Sequence, residues 1–192
     1  MPIPLAGYPI DWNLGDFVFP DSRLSHAKGA FLPFFTTKGA TVLRALCREF
    51  KEAVTEHKWM DGETVIKNRM SSWRACFPAA EVANVSGEYG DGIVQPGVVK
   101  DEDFRHFVGL KCLDMSFCGK VTDAAFVHLK GIHTLKMSRC DQPTITDAAF
   151  VHLKGTHTLD VSQCNQPTIF FGDSLGIPNC TQRAGTVCVG EA

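Results

Sequence analysis

Residues 121–144 read VTDAAFVHLKGIHTLKMSRCDQPT, and residues 145–168 read ITDAAFVHLKGTHTLDVSQCNQPT. Eighteen of the 24 positions are identical. A unit this short cannot close a hydrophobic core alone and must bury its apolar face against its neighbours. The duplication therefore predicts a stacked array, and such arrays serve as surfaces. Working backwards, VKDEDFRHFVGLKCLDMSFC (99–118) is the same unit two residues shorter. Asp101, Phe104, His106 and Gly109 correspond to Asp123, Phe126, His128 and Gly131, then to Asp147, Phe150, His152 and Gly155. A fainter strand at Ala83-Asn84-Val85-Ser86 marks a degenerate unit in front.

Each unit has two halves with different periods. Leu135-x-Met137 alternates apolar and polar residues, which predicts a short strand with one buried face. Ile145 to Leu153 groups Ile145, Ala148, Ala149, Val151 and Leu153 around Phe150, which predicts a short helix. Thr146-Asp147 forms its N-cap and Gly155 its stop. Strand, turn, helix, glycine and next strand define an α/β chain coiling in a right-handed sense, with parallel strands along one side.

The run Ile132-His133-Thr134-Leu135-Lys136-Met137-Ser138-Arg139-Cys140, followed by Ile145-Thr146-Asp147, matches L-x-x-L-x-L-x-x-C and a helix. Over roughly residues 80–170 the chain thus resembles the cysteine-containing class of leucine-rich repeat. The resemblance implies a short right-handed solenoid with strands on its concave side and helices outside.

Residues 29–60 read GAFLPFFTTKGATVLRALCREFKEAVTEHKWM. An apolar turn at Phe31, Leu32, Phe34 and Phe35 precedes a helix carrying Val42, Leu43, Leu46, Cys47 and Phe50 on one face. That helix is expected to continue through Ala53 and Val54 towards Trp59. Leu43-Arg44-Ala45-Leu46-Cys47-Arg48-Glu49-Phe50 with the closing Trp59 resembles the second half of an F-box. Its first half is degenerate, with Leu24-Ser25-His26-Ala27 and Gly29 in that place. The resemblance implies docking on a Skp1-type adaptor through Leu32, Pro33, Leu43, Leu46, Cys47, Phe50 and Trp59. The alternative is a helical cap that covers the first strand of the array. The expected division is an N-terminal extension (1–23), an F-box-like helical segment (24–60), and a linker with the degenerate first repeat (61–98). The leucine-rich repeats (99–169) and an irregular tail or cap (170–192) follow.

A net charge of −2 points to neither a phosphate backbone nor an anionic membrane as partner. No apolar run is long enough to span a bilayer, and the first residues lack the basic and apolar regions of a secretory signal. The expected location is cytoplasmic or nuclear. Cys118, Cys140 and Cys164 recur at equivalent positions, about 4.8 Å apart on successive strands, and are expected as buried thiols rather than disulfides. His128 with His133, and His152 with His157, lie near Cys140 and Cys164, but each pair spans a glycine and lacks zinc spacing. These histidines read as inherited with the repeat, and no metal or cofactor is expected. No catalytic residue is expected either, since G-x-S-x-G and P-loop patterns are absent. The stretch Gly87-Glu88-Tyr89-Gly90-Asp91-Gly92 reads as the long turn of the first unit.

Outward-facing strand positions should form rows: Cys112, Thr134 and Thr158; Asp114, Lys136 and Asp160; Ser116, Ser138 and Ser162. The Asp-Lys-Asp row puts opposite charges close enough to pair. Either the rows neutralise one another, or they form a partner face with Phe117, Arg139 and Gln163. After Ile169 the pattern breaks into Phe170-Phe171-Gly172. That tail reads either as a cap on the last unit or as irregular chain. The functional expectation is a non-enzymatic interaction protein, by resemblance a substrate-recognition subunit of a cullin-based ubiquitin ligase binding an unknown protein. The alternative is a repeat-only binding protein whose helices merely cap.

Overall fold

Every regular element of the repeat region is short, and each is held by its counterpart in the next unit. The computed structural model describes residues 32–90, 93–140 and 142–164, with the backbones of 179–181 and 187–189. A 3-10 turn at Leu32–Phe34 leads into α1 (Thr37–Leu46), α2 (Arg48–Glu56) and α3 (Met70–Cys76). Next come β1 (Val82–Asn84), the hairpin of β2 (Glu88–Gly90) and β3 (Ile93–Gln95), and a 3-10 segment at Asp101–Phe107. Then β4 (Cys112–Asp114), α4 (Asp123–Phe126), β5 (Thr134–Lys136), α5 (Asp147–Phe150) and β6 (Thr158–Asp160) alternate, followed by β7 (Asn179–Thr181) and β8 (Val187–Val189). The main sheet has the order β1-β4-β5-β6-β7-β8. Its strands are parallel from β1 to β7, and β8 returns antiparallel. The chain is therefore mixed α/β with a parallel sheet. The expectations for residues 1–23, for Leu24 to Ala27 and for Phe170-Phe171 lie outside the described residues.

The register follows from which residues are apolar. Ala83, Leu113, Leu135 and Leu159 face one another across the strands and are buried. Val85, Met115, Met137 and Val161 form the next buried positions along. Behind them lie Phe104, Phe126 and Phe150, with the last two rings 6.0 Å apart. Full burial of each such Val, Leu, Met or Phe side chain contributes about 1.5–3 kcal/mol. A slip of one residue in the strands would turn their buried side chains to solvent. The 3-10 turns that continue α4 and α5 end at Leu129 and Leu153, and the chain then turns at Gly131 and Gly155, whose φ values of +84° and +88° would strain a side-chain-bearing residue.

Two polar devices repeat with the apolar ones. Asp101 accepts from Thr122 N (2.8 Å) and Thr122 Oγ1 (2.6 Å), and Asp123 accepts from Thr146 N (2.7 Å) and Oγ1 (2.6 Å). The same threonine hydroxyls accept from Ala124 N and Ala148 N, so each caps its own helix while bonding to the unit before it. On the strand side, Cys140 Sγ donates to Met115 O (3.2 Å) and Cys164 Sγ to Met137 O (3.1 Å). Cys118 Sγ reaches Val85 O at 3.5 Å. The recurring cysteines are free thiols that satisfy carbonyls of the preceding unit.

The helical segment departs from the expected single helix. Cys47 is extended (φ −158°, ψ 170°), so α1 and α2 are separate. The apolar side chains that a continuous helix would have aligned are thereby split. Ala40 and Val54 are buried, whereas Val42 and Leu46 face solvent. Trp59 closes this segment with its indole N–H donating to Val54 O (2.8 Å) and its ring edge-on to Phe77 at 5.5 Å. Its carbonyl accepts from Glu81 N and Val82 N, which joins the helices to the start of β1. Asp61 locks α1 by accepting from Thr37 N and Thr37 Oγ1, both at 2.7 Å, and from the amides of Glu63 and Thr64.

Two stability predictions follow from unequal satisfaction of polar groups. Thr156 replaces the Ile132 of the previous unit and is 1% exposed, with its hydroxyl unpartnered. Thr156→Val removes that buried hydroxyl at constant shape and is expected to raise stability by about 1 kcal/mol in thermal unfolding. Burial acts to raise the Asp61 pKa, but hydrogen bonds from Thr64 and Thr37 outweigh it and hold the carboxyl below its ordinary value. That contribution is complete above the ordinary carboxylate range and is lost as pH falls through the depressed folded value. Asp61→Asn should cost about 1 kcal/mol at neutral pH, allowing for partial exposure, with the difference shrinking below about pH 4 in urea titrations.

Candidate binding surface

Alternation along the strands turns one set of side chains outward, and the parallel register lines them up. Cys112, Thr134 and Thr158 pair across β4, β5 and β6, as do Asp114, Lys136 and Asp160. Asn84 extends the second row onto β1. Of the two readings of that row, mutual pairing is not seen between Asp114 and Lys136. Asp114 Oδ1 accepts from Ser116 N (3.0 Å) and Asp160 Oδ1 from Ser162 N (2.9 Å), closing a local turn. Asn84 Oδ1 does the same for Ser86 N. No ion pair joins Asp114 to Lys136, because the carboxylate is turned back onto its own backbone. In the third row Ser138 Oγ donates to Ser116 Oγ (3.1 Å), but Ser116 is buried rather than outward-facing as expected, and Ser162 Oγ turns to Asp160 Oδ1 (2.6 Å) instead.

Beyond the serines, Phe117, Arg139 and Gln163 occupy equivalent positions with φ of 60°, 56° and 59°. Left-handed backbone costs a non-glycine residue about 1–2 kcal/mol, offset here by amide bonds such as Phe117 N to Ser138 O and Arg139 N to Ser162 O. Tyr89, on β2, stacks on Phe117 at 6.5 Å and 22°. The Arg139 guanidinium lies 5.4 Å from the Tyr89 ring centre and 5.3 Å from that of Phe117. Its Nε donates to Gln163 Oε1. The predicted residues Phe117, Arg139 and Gln163 are thus brought into one cluster, and Tyr89 joins them from a segment read only as a turn.

The hairpin carrying Tyr89 had a legible signal. Asp91-Gly92, between Glu88-Tyr89-Gly90 and Ile93-Val94-Gln95, is a strong hairpin dipeptide. The hairpin leaves the first unit at Gly87 and returns at Gly97. A Cβ on Gly97 would stand 2.6 Å from Cys118 Sγ and 2.7 Å from Val85 O, so only glycine permits that approach. A recess of about 90 Å³ beneath it, lined by Ile66, Val85, Gly87, Pro96 and Val98, is small for an organic ligand.

Of the residues assigned to adaptor docking by resemblance, Leu32 (2% exposed) and Trp59 (1%) are core and offer no surface. Leu43 and Phe50 are half-buried, while Pro33, Leu46 and Cys47 are exposed. Phe34 and Val42 add exposed apolar area close by in sequence.

The histidines are arranged differently from the pairs considered in the sequence. His133 and His157, from successive units, stack with ring centres 4.7 Å apart and planes 9° from parallel. The equivalence of the two positions was the available signal. Ring-nitrogen lone pairs lie in the ring planes, so parallel rings direct them side by side rather than onto one ion. Among the described residues no group of three or more His, Cys, Asp or Glu could hold a metal, and no helix is long and apolar enough to cross a membrane. No protein-family model matches the chain, and no curated protein matches it.

Burial pushes the Cys118 thiol up to about 12, with the Asp114 charge adding to the effect. At pH 8, iodoacetamide followed by mass spectrometry is expected to label exposed Cys47 and spare Cys118 and Cys140, all three becoming labelled after denaturation.

Proposed function

We propose that this chain is a non-enzymatic interaction protein: a short leucine-rich-repeat solenoid that presents its concave strand face to a protein partner. The observation that carries the reading is the in-register row Asp114, Lys136 and Asp160, with half-buried Ser138 beside it. Such ordered rows of side chains on rigid strands suit recognition by complementarity, whereas the array of only a few units limits the area offered. The cysteine-type repeat accounts for the thiol-to-carbonyl bonds that recur from unit to unit.

The finer proposal is that the helical segment is F-box-like and docks a Skp1-type adaptor, making the protein a substrate receptor of a cullin-based ubiquitin ligase. Exposed Phe34, Val42 and Leu46 support an apolar docking surface on α1 and the turn before it. A second reading, in which the segment only caps the array, is favoured by the bonds from Glu81 N and Val82 N to Trp59 O and the bridge of Val65 to Asn84. Purified Skp1 separates the two readings. On the adaptor reading it is retained by the chain, and Leu46→Glu reduces binding about tenfold or more while circular dichroism stays unchanged. Absence of binding with the helices folded leaves the cap.

A further inference from the structure

We propose that the cluster of Tyr89, Phe117, Arg139 and Gln163 recognises a partner peptide bearing a single carboxylate beside an apolar side chain. The proposal rests on the strand face being a binding surface, and it gives that surface its partner chemistry.

The first support is the state of the arginine. Arg139 is exposed, its guanidinium carbon lies within 5.4 Å of two aromatic ring centres, and its Nε is occupied by Gln163 Oε1. Among the described residues neither Nη makes a hydrogen bond or ion pair. A guanidinium held this way presents a free edge suited to the two oxygens of a carboxylate. Because the side chain is already placed, little rotamer freedom remains to be lost on binding.

The second support is what surrounds it. Val94 pairs directly with Tyr89 across the hairpin, so the two side chains share one face. They are 46% and 60% exposed. An aliphatic or aromatic residue next to the bound carboxylate therefore has apolar surface to cover.

The third support selects among anions. Lys136 is the exposed cation in the adjoining row, and the register places Asp114 and Asp160 on either side of it. A phosphate group carries close to two negative charges at neutral pH and so meets stronger repulsion from the negative charges of this row than a singly charged group does. An Asp or Glu side chain carries one, which the Arg139 fork can match. The left-handed backbone at all three strand ends keeps large side chains where glycine would sit without strain.

The test is to pan a random peptide library on the intact chain and titrate enriched peptides by fluorescence anisotropy. The expected peptides place Asp or Glu beside an aliphatic or aromatic residue. Changing that acid to its amide, or changing Arg139→Gln, should weaken binding about tenfold, and Arg139→Lys should recover only part because it keeps charge without the fork. Thermal melting of the exposed-site variants should match the parent, separating lost recognition from lost folding. Peptides that are released by Lys136→Glu yet indifferent to Arg139→Gln and to the amide change overturn the proposal while leaving the strand face as a binding surface. A phosphoserine peptide binding more tightly than its glutamate counterpart overturns the choice of carboxylate. Failure of any peptide to enrich overturns both readings.

Discussion

A strand of three residues holds only because another lies against it, and every strand between β1 and β6 is that short. The helices α4 and α5 have four residues each, too few to be stable alone. Contact between successive units is therefore the constraint on which the structure depends. Three independent interactions enforce it at different depths. The leucine row fills the interior, the aspartate–threonine bonds join the helix starts, and the thiols of Cys140 and Cys164 bond carbonyls of the preceding unit. Each is individually modest. Their repetition makes the register specific, because any slip breaks all of them at once.

The same constraint prepares the outer face. Once Leu113, Leu135 and Leu159 are stacked inward, their neighbours in sequence stand in rows on the other side. Rigid spacing does not by itself confer individuality, since the units are near copies. Individuality enters where the copies differ or where foreign chain intrudes. Lys136 interrupts two aspartates, Arg139 stands between Phe117 and Gln163, and the β2–β3 hairpin brings Tyr89 over the strand ends. At the other end, Glu81 receives Lys111 at 2.8 Å and Lys58 at 3.6 Å, linking the helical segment to the array. The hydrogen bond from Lys111 holds the Glu81 carboxyl below its ordinary range against some desolvation, with the Lys111 and Lys58 charges helping.

Much of the array was legible because its signal was repeated. The landmarks at Asp123, Phe126, Leu135 and Cys140 recur at fixed offsets, so strand positions and their register could be read from sequence. What was not legible depended on single positions. Nothing in Leu46-Cys47-Arg48 announces an extended residue, so one continuous helix was expected and its apolar face was misplaced. Trp59 and Leu32 are apolar in either role, and sequence does not distinguish a core anchor from a docking contact. Pairing with Lys136 was one of two readings of the aspartates, and it overlooked the competing backbone amide two residues on, which wins for Asp114. The Tyr89 contact was hidden because a glycine-rich stretch was read by composition, while its Asp91-Gly92 dipeptide pointed to a hairpin.

Native-state hydrogen exchange on Leu135→Ala addresses the dependence on stacking most directly. The amides of Val85, Met115 and Met137 bond respectively to Asp114 O, Lys136 O and Asp160 O, so they report on three successive junctions. Loss of a buried leucine from the middle of the row costs about 2–5 kcal/mol. If the units hold one another, protection should fall by a similar amount at all three amides. A fall confined to the amides beside residue 135, with Val85 unchanged, would contradict the claim that contact between units sustains the fold.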